Sequence, residues 1–398
     1  MSPTKARDPI PVKERNKAYY QLKFTHGLPP GTDSFDQFEK NPRHPRAPAT
    51  PKRELPALPP LSERHGKWIS KYLDTLDPET EYDQIIRTAM WFYGGDFQTA
   101  IGYACVFVWL VTTPAGAAAI HGRKVTVRGH QRYYETQMFN LHWVHWGSGS
   151  AETREYCEKI NRTHAQVWKS VPGAFAHPWE AQAAIILLSW YEQFMRRTVG
   201  ASNDMHPQVQ MAWPAWGERV TGWFKAEPGD GSLSFGINYP RDFKEVEEFC
   251  EWYCNFDFDD QRNAEDIQKT HETAESFIHQ FCELWFPRHL QFLGRGIILT
   301  LLPKNIRRKA RLEDPHFVLK IFTKFAFRAI FELQDWMSDP VQPPIANFYK
   351  DIQEWDLSKI DARETGYRDQ QAHRLQLFGR TVAFCVLGFL VLLYYIRR

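Results

Sequence analysis

The sequence has no surplus of charge of either sign: 49 Lys and Arg stand against 47 Asp and Glu over 398 residues, a net charge of +2. Its basic residues are scattered, which excludes the concentrated positive face by which proteins hold nucleic acid. Cysteine is scarce, six in all, at positions 105, 157, 250, 254, 282 and 385, with no CxxC, no CxxCH and no close extracellular spacing. A disulfide scaffold is thereby excluded, and the thiols read as reduced. Residues 1–25 contain no apolar core of the kind that makes a secretory signal, so any targeting is expected from elsewhere. Strand signals are nearly missing too, apart from the Gly-rich stretch "EPGDGSLSFGINYP" at 227–240, and no repeat of fixed period occurs.

What is present is apolar and aromatic. Hydrophobic residues make up 43% of the chain and aromatic ones 15%, including fifteen Trp, enough for one large core or an apolar ligand cavity. Twelve of the 26 prolines fall in residues 1–60, which predicts an extended arm outside the core. From about residue 65 apolar residues recur with helical period. The spacing predicts helices over 65–75, 79–93, 97–113, 131–146, 151–170, 178–199, 207–225, 242–255, 262–286, 288–302 and 315–337. The fold class is all-α. The expected organisation is a Pro-rich arm (1–60), one helical domain (61–345), a linker (346–379) and a C-terminal segment (380–398). Several helix ends carry a mechanism: Ser150 as N-cap, Gly200 after an apolar run, Pro287 and Pro340 closing two late helices.

Two runs are long enough to raise the question of a membrane. Thr381–Ile396 is sixteen residues without a formal charge, bracketed by Arg380 and Arg397. As a helix it would span roughly 24 Å, which suits a thin bilayer such as that of the endoplasmic reticulum. Arg363, Arg368, Arg374 and Arg380 precede it, so the positive-inside bias keeps the body of the protein in the cytosol. The expectation is a single-pass C-terminal transmembrane anchor; the alternative is a buried core helix. The second run, Phe97–Ile120, is interrupted by Pro114 and Gly116 and diluted by Gln98, Thr99, Thr112 and Thr113, and reads as buried helix. The sequon at Asn161 lies inside a helical pattern, where a folded chain hardly offers it as an exposed loop, which weighs against a lumenal location.

Chemistry concentrates in residues 131–170. On a helix over 151–170, Tyr156, Ile160, His164, Val167 and Trp168 fall on one stripe, so an imidazole sits on an apolar face. Buried there, its nitrogens need a carbonyl, a water or a metal. In the preceding helix Arg132 and Thr136 share a face at i, i+4; the plain alternative is a surface Arg and a Thr bonded back to its own helix. His142 and His145, at i, i+3, lack an acidic or Cys partner at zinc-like spacing.

The order Arg132-x-x-x-Thr136 within "RYYET", then His164 within "INRTHAQVW", resembles the haem-dependent oxygenases that include the bacterial latex-clearing rubber oxygenases and the fungal ER-bound MpaB type. The similarity continues through "AIILLSWYEQFMRRTVG" (184–200), "WPAWGERVTGWF" (213–224) and "FPRHLQFLGRGIILTLLPKNIRRKARL" (286–312). The resemblance implies a globin-like helical core with additional helices and one non-covalently bound haem b. It implies His164 as the proximal iron ligand, with Arg132 and Thr136 across the haem. Glu135 stands where the rubber oxygenases carry Lys, so it cannot be their distal ligand; it would orient Arg132 or move a proton, unless it is a solvated carboxylate. Lys159 and Arg162 flank His164 and would pair with haem propionates, unless they too are a solvated face. The implied activity is oxidation or cleavage of a carbon–carbon double bond in an apolar, isoprenoid-like substrate by dioxygen. A haem protein without turnover and a tail-anchored helical scaffold remain the alternatives.

Overall fold

A computed structural model describes residues 55–113, 116–171, 174–175, 178–225, 236, 239–256, 258 and 262–360. The described residues are helical and contain no strand. In chain order the helices are α1 (Trp68–Leu73), α2 (Tyr82–Tyr93), α3 (Asp96–Leu110), α4 (Gly116–Ile120), α5 (Arg123–Thr126), α6 (Gly129–Trp146), α7 (Ala151–Ser170) and α8 (Pro178–Val199). They continue with α9 (Pro207–Thr221), α10 (Phe243–Asn255), α11 (Ala264–Trp285), α12 (Gln291–Leu301), α13 (Lys304–Lys309), α14 (Phe317–Trp336) and α15 (Pro344–Glu354). Every predicted helix is present. The segment expected as the membrane anchor, 380–398, lies outside the described residues, as does most of the arm. Among the described residues no helix is long and apolar enough to cross a membrane.

Helix α3 is the axis of the core. Its residues are apolar on every side because it is surrounded: α8, α11, α12 and α6 all pack against it, and Ile101, Ala104, Cys105, Val108 and Trp109 are fully buried. The run 97–120 is thus interior, broken into α3 and α4. The C-terminal carbonyls of α3 end inside the protein and find partners there. Trp109 O accepts from Thr112 Oγ1 (2.7 Å) and from Tyr253 Oη (3.2 Å), and Val111 O accepts from Thr270 Oγ1 (3.1 Å). All five described cysteines are buried free thiols.

The packed body runs past residue 345, where a linker was expected. Helix α15 lies against α2 and α6 and buries Ile345, Phe348, Tyr349 and Ile352, an i, i+3, i+4, i+7 stripe. Pro343 and Pro344 mark its start and do not break it, since proline fits the first turn of a helix.

Helix α7 is held differently. Only Thr153, Cys157 and Asn161 along it are buried, and hydrogen bonds at its edges fix it. At its start Ser150 caps the Thr153 amide, as expected (3.0 Å). The turn before it is pinned by Asp83 of α2, whose carboxylate accepts from the Ser148 amide (2.6 Å), while Trp223 Nε1 donates to Ser148 O (2.8 Å). Further along, Asn161 donates to Trp223 O (3.0 Å) and accepts from the Lys225 amide (3.2 Å). The guanidinium groups of Arg154 and Arg219 stand 5.4 and 5.2 Å from the Trp223 ring.

This turn depends on Gly147, which adopts φ +85°, and an added Cβ would stand 3.2 Å from the Asp83 carboxylate, a tight contact. Gly147→Ala is expected to cost about 1–2 kcal/mol from the left-handed backbone, lowering the urea midpoint without changing the slope of unfolding. An unchanged midpoint would show that the turn is not pinned as described.

Candidate functional site

The apolar stripe of α7 faces a cavity of about 810 Å³, within the range of cofactor and small-molecule sites. Ile160, Thr163, His164 and Val167 line it from α7, and Arg132, Glu135 and Thr136 line it from α6. The sequence places these residues on two separate helices; the fold brings Arg132, Glu135, Thr136 and His164, the four expected site residues among them, to one space. Tyr156 and Trp168, on the same predicted stripe, stand outside the lining. The cavity is elongated. It is lined along α3 from Phe97 to Leu110 and along α8 from Trp179 to Met195, roughly 20 Å of helix in each case.

His164 is held between aromatic rings. The imidazole stacks on Phe175, with ring centroids 3.7 Å apart and planes 12° from parallel, and Phe224 lies 6.3 Å away. Its Nδ1 is buried and has no hydrogen-bond partner. Burial, reinforced by the Arg132 charge, pulls the imidazole down to about 4, so it is neutral at physiological pH. Phe175 holds φ 59°, a conformation bulky residues rarely adopt, and covers one face of the imidazole.

Arg132 is half-buried, and its guanidinium carbon stands 5.6 Å from the Phe107 ring centroid. Thr136 bonds back to Arg132 O (2.9 Å), the plain reading for a helical Thr; the Tyr103 hydroxyl is buried without a hydrogen-bond partner, and burial raises it well above its ordinary range. Glu135 accepts from Gln131 Nε2 one turn earlier (2.8 Å). Arg162 is exposed and outside the cavity lining. Lys159 pairs with Glu155 (3.0 Å) and lies over the Tyr156 ring at 4.1 Å. Neither basic residue is brought to the cavity; both sit on the solvated side of α7.

His142 and His145 belong to an aromatic cluster apart from the cavity. His142 stacks on Tyr156 at 3.6 Å, and its Nδ1 is 3.1 Å from the Tyr349 hydroxyl. Burial is the main cause that takes it down to about 4. Among the described residues no group of three His, Cys, Asp or Glu side chains is placed to hold a metal ion.

Sequence reasoning missed Phe175, Tyr103, Asn140 and Glu180, all of which line the cavity. Tyr103 belongs to a run that reads as uniform core. Phe175 stands beyond the end of α7, and no periodicity encodes its return to His164. Comparison with protein families and with curated proteins finds no family model and no curated protein that matches this chain.

The two neutral histidines make stability depend on acid. Their folded values, about 4, lie below the ordinary 6.5. The unfolded chain therefore binds protons that the folded one refuses, and stability falls as pH drops from 6.5 towards 4. Urea midpoints should be flat above neutrality and decline through this window, and His164→Phe with His142→Phe should flatten the decline. A double variant with an unaltered pH slope would refute this assignment.

Proposed function

We propose that the protein is a haem-dependent oxygenase, tethered to a membrane through residues 380–398 with its helical domain on the cytosolic side. In this reading it uses dioxygen to oxidise or cleave a carbon–carbon double bond of an apolar, isoprenoid-like substrate. The observation that carries the reading is His164: a neutral imidazole with an orphaned buried nitrogen, on the wall of a large and mainly apolar cavity, where an arginine also stands. The residues present fit the group. His164 would ligate the iron of haem b, and Arg132 would stand beside the macrocycle; no CxxCH occurs for covalent attachment. When bound, the haem supplies the redox-active iron for dioxygen chemistry.

The chain's own contributions follow from the geometry. Neutrality leaves His164 with a lone pair to give, and stacking on Phe175 fixes the plane of the ring. Arg132 offers a fixed positive charge to negative charge that develops in the cavity, where exclusion of water strengthens it. The Thr136 hydroxyl and Tyr103 form a second, uncharged polar point. Glu135, held by Gln131, is a carboxylate within the lining that can accept a proton. The apolar walls from α3 and α8 suit a hydrocarbon chain.

The purified protein should carry, or take up, haem and show its intense absorption band. His164→Ala should abolish or greatly weaken that band. Arg132→Leu should keep most of the haem and lose oxygenation, measured as carbonyl products from an unsaturated terpenoid. A wild-type chain that remains colourless after reconstitution would end the proposal, and full haem binding without any oxygenated product would reduce it to a haem-binding protein.

A further inference from the structure

Helix α14 is apolar on two opposite faces. Its inner face carries Phe327 and Phe331, which are buried, and Ile330 and Gln334, which line the cavity with them. Its outer face carries Phe317 (68% exposed), Val318 and Ile321 (65%), and its far end carries Leu333 and Trp336 (83%), followed by Met337 and Val341. Phe292 of α12 is also exposed, one turn before Gly296, where α12 meets Leu319 of α14. The outer face of a surface helix is ordinarily polar, and a contiguous set of large apolar side chains marks an interaction site.

Beside this apolar row runs a basic one. Lys320, Lys324 and Arg328 follow at intervals of four and form one line along the helix. The acidic residues of α14 all have partners. Glu332 accepts from the Ser202 amide (2.8 Å) and hydroxyl (2.6 Å) and pairs with Arg328 (3.6 Å). Asp335 accepts from Asn203 (3.0 Å) and pairs with Arg196 (3.3 Å). The outer surface of the first half of the helix therefore presents apolar side chains and positive charge only.

We propose that α14 docks the protein in the plane of an anionic bilayer, with Phe317, Val318, Ile321 and Trp336 among the acyl chains and lipid carbonyls and the Lys320 and Lys324 side chains at the phosphates. Five charged residues along α14 rule out a crossing helix, and an interfacial one is the arrangement that satisfies both rows. A second copy is disfavoured by charge, because a two-fold contact through this face would set the Lys320, Lys324 and Arg328 rows near their own images. The inner face of the same helix lines the cavity through Phe327, Ile330, Phe331 and Gln334, so docking would set the cavity one helix away from an apolar ligand dissolved in the bilayer. This last consequence rests on the oxygenase reading; the docking itself does not.

The test uses the full chain with Cys385→Ser, since the other five cysteines are buried, and a fluorophore attached at Ile321→Cys. Vesicles of phosphatidylcholine and phosphatidylserine carrying a spin-labelled acyl chain should quench the fluorophore strongly. Quenching should fall several-fold in phosphatidylcholine alone and again with Lys320→Glu plus Lys324→Glu. A chain that floats with vesicles while the label at 321 stays unquenched is held only through other segments, and overturns the proposal. So does a chain that fails to float, or one that is dimeric without lipid and becomes monomeric on Ile321→Asp. The haem band of the same samples separates the two readings: quenching without haem leaves the docking intact and removes the oxygenase assignment.

Discussion

The cavity exists because α7 is fastened at its edges and not along its length. An amphipathic helix ordinarily spends its apolar stripe on the core. Here Asp83, Ser148, Trp223 and Asn161 hold the helix in place through directed hydrogen bonds, and Ile160, His164 and Val167 are free to form a wall. Four or five hydrogen bonds, each worth about 1 kcal/mol net, position the imidazole that the functional reading depends on. The turn at Gly147 is the most restrictive of them, since it requires a left-handed backbone and would put any side chain in tight contact with Asp83.

The environment of His164 follows from that placement. Burial and the nearby guanidinium both disfavour its protonated form, and they do so without a hydrogen bond to Nδ1. A core histidine normally satisfies its nitrogens, as His142 does in part through Tyr349. His164 is instead dressed with aromatic rings, Phe175 on its face and Phe224 further off. Arg132 is confined in a similar way, over Phe107 and close to Tyr103.

Much of the fold was legible in the sequence, because helical period and caps are local signals. Ser150, Gly200 and the proline boundaries fall where their chemistry requires. The apolar run at 97–120 was ambiguous by length, and what makes it interior is tertiary: partners such as Tyr253 and Thr270 that close the end of α3. Most of helix α15 was read as linker, although the proline pair before it starts a helix as readily as it ends one. At the site, the stripe of α7 and the i, i+4 pair of α6 were legible as faces, and the fold turned both onto one cavity. Arg162 and Lys159 were neighbours of His164 in sequence only, since adjacent positions on a helix point 100° apart. Phe175 was out of reach of any pattern, because it stands beyond the end of α7.

Asn161 has one more implication. Both atoms of its side-chain amide are committed to the backbone at Trp223 and Lys225, so the acceptor for an oligosaccharide is the same group that fastens α7. Glycan attachment and closure of this helix exclude one another. Any molecule bearing sugar at this sequon would have been modified before it folded, and would be expected to lack the cavity altogether, which makes a mobility shift on a gel a count of chains that took the wrong route.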